Sequence, residues 1–195
     1  MSLIFNNLEF DDPESSLDYS DKFDIESQFV KNRILTLRGS VDNYMLAYAS
    51  KHLLYLDSLN HRDITLFISS PGGSVIDGLA IYDIMKYIKS DIKTVCVGYG
   101  ASMAAILLSS GTKGKRFAGP NARIMLHQLS TGMAGKLEDL ENDIKHSKLL
   151  QEVLNNILIQ NTGKTKKQLQ MDLKKDLWLS SKEAIKYGLI DKILE

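Results

Sequence analysis

From Phe29 onward the chain alternates short apolar runs with stretches of helical spacing. That alternation constrains the fold more than any other feature. "RILTLRG", "DITLFIS", "IKTVCV" and "ARIMLHQ" read as strands. "NYMLAYASKHLLYLDSL" fills the first gap with Met45, Leu46, Tyr48, Ala49, Leu53, Leu54 and Leu56 at helical spacing, and "VIDGLAIYDIMKYIKS" fills the second. In that second helix Ile76, Leu79, Ala80, Ile84, Met85 and Ile88 form the expected apolar side. "KLEDLENDIKHSKLLQEVLNNILIQNTG" is the longest helical stretch, and Gly163 suits its C-terminal end. "TKKQLQMDL" and "SSKEAIKYG" read as short helices, and "LIDKIL" closes the chain. Strands alternating with helices imply βα units and a largely parallel sheet, so the fold class is α/β.

One domain accounts for this pattern, over residues 25–195. Residues 1–24, with "LEFDDPESSLDYSDKFD", are acidic, polar and aperiodic, and read as an N-terminal arm. A chain of 195 residues can bury one substantial core. A formal net charge of +0 gives no electrostatic footprint for nucleic acid or an anionic membrane. The single cysteine, Cys96, excludes an internal disulfide framework and lies in an apolar run, as a buried inert thiol would. "MSLIFNNLEFDD" has no basic n-region and no extended apolar core, and no uncharged apolar stretch approaches a membrane span. The expectation is a cytoplasmic protein without a secretory leader.

The segment "GYGASMAA" stands where the strand "IKTVCV" ends and the apolar helix "MAAILLSS" begins. A serine at such a junction, Ser102, stands clear of the sheet, and the helix start aims free N–H groups towards it. The small neighbours Gly98, Gly100, Ala101, Ala104 and Ala105 permit tight backbone geometry. Small residues also surround serines wherever a helix packs closely on a sheet, and the pattern is not a Gly-x-Ser-x-Gly elbow.

A nucleophilic serine needs a base, and the chain has four histidines: His52, His61, His127 and His146. Only His127 follows an apolar strand, "RIMLH", at the kind of strand end where α/β folds place ligands. No Asp or Glu lies between Ser102 and His127, which sets aside the α/β-hydrolase order of serine, acid, histidine. Candidate acids lie downstream: the helix-start cluster Glu138, Asp139, Glu141 and Asp143, then Asp172, Asp176, Glu183 and Asp191. The cluster fits a solvated helix start. Asp172 and Asp176 flank the turn of "MDLKKDLW", and pattern does not choose between them. "SSPGGSV", Ser69 to Val75, reads as a glycine-rich turn after a buried strand, whose amides suit an oxyanion.

These pieces together resemble the Clp protease proteolytic subunit, a serine peptidase family. The resemblance rests on "ISSPGGSVIDGLAIYDIMKYIKSDIKTVCVGYGASMAAILLSSGTKGKRFAGPNARIMLHQ" and on "LWLSSKEAIKYGLIDKIL", and runs from about Phe23 to the C-terminus. It implies a crotonase-like spiral of ββα units with a protruding handle helix, the handle covering about 128–160. It places the nucleophile on Ser102, the general base on His127 and the orienting acid on Asp172. It assigns the oxyanion amides to Gly73 and Met103. No cofactor or metal is implied for the cleavage itself.

The resemblance also implies partners. Subunits would stack as two heptameric rings around a chamber, and the handle would join the rings. An AAA+ unfoldase would bind ATP and feed in unfolded protein; this chain has no Walker A pattern of its own. The acidic arm would form the axial and docking region. Three departures stand out. Leu129 replaces the family's proline after "HQ", which removes a fixed φ beside His127. Gly100 replaces a common alanine, and the arm reads "DKFDIESQFV" where the family has a different text. They point to an alternative, a silent or partner-dependent subunit of a mixed barrel with a paralogous ring. A crotonase-type acyl-CoA enzyme is the remaining alternative, set back by the absence of carboxylates where Ser102 and His127 stand.

Overall fold

Apolar segments too short to be stable alone are tied together in the computed structural model, which describes residues 25–132 and 134–195. The arm expected over 1–24 lies outside the described residues. Strand β1 (Ile34–Val41) pairs in parallel with β2 (Ile64–Gly73), and β2 with β3 (Ile92–Ala101). Helix α1 (Ile25–Lys31) precedes β1, while α2 (Asn43–Leu59) and α3 (Val75–Tyr87) make the crossovers. Strands β2 and β3 carry Ile64, Leu66, Ile68, Val95 and Cys96, all fully buried. Central parallel strands are covered on both faces, and so read as continuous apolar runs. The expected α/β class and largely parallel sheet are present.

Beyond Cys96 the sheet forks. Thr94–Cys96 of β3 pairs with β4 (Arg116–Ala118), whereas Tyr99–Ala101 pairs with β5 (Arg123–Leu126), both in parallel. Strand β4 continues to β7 (Lys192–Ile193), and β5 pairs antiparallel with β6 (Leu177–Ser180). Helix α4 (Met103–Ser109) starts at the fork and is buried throughout. Helices α5 (Leu137–Thr162), α6 (Lys166–Asp172) and α7 (Ser181–Tyr187) complete the chain. Arg116, 2% exposed, ties the C-terminal end to this body: it bonds Asp191 and donates to the carbonyls of Ser109 and Asn161.

Three local readings differ from the sequence expectation. "SPGG" is not a free turn: Pro71–Gly73 remains in β2, with Ser40 opposite Gly72 and Val41 opposite Gly73 after a register shift. Gly73 runs so close to β1 that a Cβ there would lie 2.3 Å from the Val41 carbonyl oxygen. The buried residues of α3 are Gly78, Ile81 and Met85, and Ile76 is exposed. The face is set by Gly78, where a Cβ would meet the Met103 side chain at 2.3 Å. Strands β4, β6 and β7 are two to four residues long, too short to show a period.

Helix α5 is 26 residues long and ends at Gly163, whose φ of 74° is the left-handed cap expected of that glycine. Its buried residues, Leu154, Asn155, Ile157 and Leu158, all lie in its second half. Leu137 and Leu149 are 73% and 66% exposed, so the first half carries apolar side chains that this subunit does not cover.

Candidate active site

The fork in the sheet brings the serine and one histidine together. Ala101 pairs with Met125, and the Ser102 N–H donates to the Met125 carbonyl at 2.8 Å. Two residues past Met125, His127 stands beside Ser102, with Nε2 2.7 Å from Oγ. With Nε2 unprotonated, the serine hydroxyl donates to it. Ser102 caps α4 at φ 55° and ψ −125°, a backbone conformation that L residues with a side chain rarely adopt. The other described histidines lie elsewhere: His52 Nδ1 is 2.8 Å from the Tyr48 carbonyl, His61 contacts Asp57, and His146 is exposed on α5.

Glycines let the end of β2 close on this serine. A Cβ at Gly72 would lie 2.7 Å from both the Ala101 carbonyl oxygen and Ser102 Cβ, and 2.9 Å from the Met103 nitrogen. Its φ of 89° also belongs to glycine. Gly73 and Met103, the two expected oxyanion amides, line one cavity with Ser102 and His127. Met103 is the first residue of α4, and the first N–H groups of a helix have no intrahelical acceptor. The cavity has a volume of about 300 Å³. Val75, Ile106, Leu129, Leu154 and Leu158 form its apolar wall.

The expected acid is placed differently. Asp172, the last residue of α6, accepts a hydrogen bond from the Tyr187 hydroxyl at 2.9 Å and makes none with His127. Burial, and then the Asp172 carboxylate, hold the Tyr187 phenol well above its ordinary pKa. Asp176 is better placed. The last pair of the β5–β6 ladder is Leu126 with Leu177, and one step further the antiparallel register sets Asp176 opposite His127. Among the described residues the His127 ring has Ser102 as its one hydrogen-bond partner. Sequence pattern left Asp172 and Asp176 open because the signal that bears on the choice, the pairing of two four-residue strands, is not local.

Cys96 is buried, and burial pushes its thiol up to about 12, consistent with an inert side chain. Among the described residues no group of three or more His, Cys, Asp or Glu could hold a metal, and no helix is long and apolar enough to cross a membrane. One residue of the site had no motif to announce it. Gln151 of α5 lines the cavity and accepts the Leu129 N–H.

An α/β fold with a strained serine, a histidine at hydrogen-bond distance and a helix start behind them has the geometry of an acyl-transfer site. Residues 18–195 match the family model of Clp protease, and the chain belongs to that family. Its members are peptidases, generally of the serine type, and generally form oligomeric barrels that work with unfoldases.

Proposed function

We propose that this chain is a serine endopeptidase subunit that cuts unfolded proteins to peptides inside a cytoplasmic ring-shaped chamber. The observation that carries the reading is the 2.7 Å contact between Ser102 Oγ and His127 Nε2 at a strained strand-to-helix junction. His127 takes the serine proton as Oγ attacks a peptide carbonyl. The N–H groups of Gly73 and Met103 hold the oxyanion, and losing one such donor typically costs about 3–4 kcal/mol of barrier. The imidazolium then returns the proton to the leaving amine. Water activated by His127 releases the acyl group. The orienting carboxylate in this reading is Asp176, which the register sets opposite His127; Asp172 is occupied by Tyr187. The apolar cavity wall suits a hydrophobic side chain at the cleaved bond.

In the same reading, two heptameric rings stack through the handle over about 128–160, whose apolar first half would be covered there. An AAA+ unfoldase hydrolyses ATP and delivers the substrate. The test is labelling of the purified chain by a fluorophosphonate, with the adduct located by mass spectrometry beside Ser102→Ala. An adduct on Ser102 that the alanine variant lacks supports the reading; a folded chain that does not react overturns it as a self-sufficient enzyme.

One observation favours a second reading, a subunit whose activity depends on a paralogous ring. His127 has no carboxylate partner among the described residues, so one link of the triad would have to close on assembly. Labelling that appears only when the paralogous subunit is added would select it.

A further inference from the structure

The segment that leaves His127 hangs on a single side chain. Among the described residues, 128–132 make one hydrogen bond, from the Leu129 N–H to Gln151 Oε1 at 2.6 Å. Gln151 is itself oriented, since its Nε2 donates to Asn155 Oδ1 at 2.9 Å. Asn155 is 5% exposed and is held in the buried second half of α5. A chain of contacts therefore runs from the core of α5 through Gln151 to the backbone two residues past His127.

The same residues shape the cavity. Leu129 and Gln151 both line the cavity that holds Ser102 and His127. Leu129 also borders a neighbouring depression of about 420 Å³ formed with Ser74 and His146, so together with Gly73, Val75 and Ser130 it separates the two. Proline has no N–H to donate, so this bond exists because residue 129 is a leucine. A donor to Gln151 supplies the restraint that a fixed φ would otherwise give.

We propose that Gln151 is a positioning residue of the active site. It acts through Leu129 by holding segment 128–130, and so orients the His127 ring and sets the apolar wall that receives substrate. The proposal rests on the peptidase reading for its catalytic consequence but not for the anchor. Removing the acceptor frees the segment; keeping an acceptor of the same reach preserves it. Glu at 151 retains the acceptor for Leu129, and the Asn155 amide can turn to donate to the other carboxylate oxygen.

The experiment compares the full-length chain with Q151L, Q151E and L129P by hydrogen exchange over 127–132 and by peptide cleavage. We expect fast exchange of the Leu129 amide in Q151L and slow exchange in the parent and Q151E. We expect kcat/KM to fall about tenfold in Q151L, with kcat falling and KM for apolar substrates rising, and to stay within about threefold in Q151E. Adding Q151L to L129P should cost little, because the donor is already absent. Should Q151L not fold, Q151M removes the same acceptor with a more adaptable side chain. Unchanged exchange in Q151L or Q151M overturns the anchor. Faster exchange with unchanged kcat/KM overturns the positioning role, as does full additivity with L129P. A parent chain that cleaves no peptide defeats the peptidase reading instead, and the exchange comparison still decides the anchor.

Discussion

Leu126 and Leu177 form the last pair of the only antiparallel ladder described in this sheet, and the register that they end sets Asp176 opposite His127. Asp172, four residues earlier, is bonded to Tyr187. The two carboxylates therefore predict opposite phenotypes. D176N should lower kcat by about 10⁴, as loss of the orienting acid does in such triads, with little change in thermal stability. D172A should leave the buried Tyr187 hydroxyl without its partner and destabilise the chain by about 1–3 kcal/mol while sparing most activity. Peptide turnover and thermal denaturation of the two variants check this; a catalytic collapse confined to D172A would reverse the assignment.

Gly72 is the contact through which β2 reaches the nucleophile. In Gly72→Ala the new methyl would stand 2.7 Å from Ser102 Cβ, at a φ that disfavours alanine. Backbone strain of that kind costs about 1–3 kcal/mol per residue, and about 1.4 kcal/mol is a decade in rate. Fluorophosphonate labelling of Ser102 should slow by at least about tenfold. Circular dichroism would show whether the fold persists.

The strain at Ser102 is separable from its chemistry. Ser102→Gly relaxes the φ 55° conformation and should raise stability by about 1 kcal/mol or more. Ser102→Ala keeps the backbone restriction and should not. Both variants lack the nucleophile, so denaturant midpoints alone distinguish them. Equal midpoints would mean that the junction is unstrained.

Acid stability should depend on Asp191. Burial pushes its carboxyl up, but hydrogen bonds from the Arg116 side chain and backbone outweigh this and hold it below the ordinary value. A depressed folded-state pKa contributes stability that is complete above the unfolded value, about 3.9, and is lost as pH falls through the folded one. Melting temperature should thus lose nothing from this pair down to about pH 4, then fall. D191N should be less stable at neutral pH, by up to about 3–5 kcal/mol, with a shallower acid limb.

Much of this was legible before any tertiary contact. The runs "DITLFIS" and "IKTVCV" announced central strands because burial on both faces demands continuous apolar sequence. Ser102 and His127 each follow such a run, so their positions at strand ends were readable, and Gly163 marked the end of α5. The sequence could not show that β3 forks, because that depends on which neighbours compete for its edges. It could not show Pro71–Gly73 as strand, since two glycines read as a turn unless a partner backbone lies alongside. The choice between Asp172 and Asp176, and the bond from Leu129 to Gln151, rest on contacts distant along the chain. Residue type and local period determine which elements form and where a nucleophile and base can stand; only packing and register decide which carboxylate faces His127 and which side chain holds the segment after it.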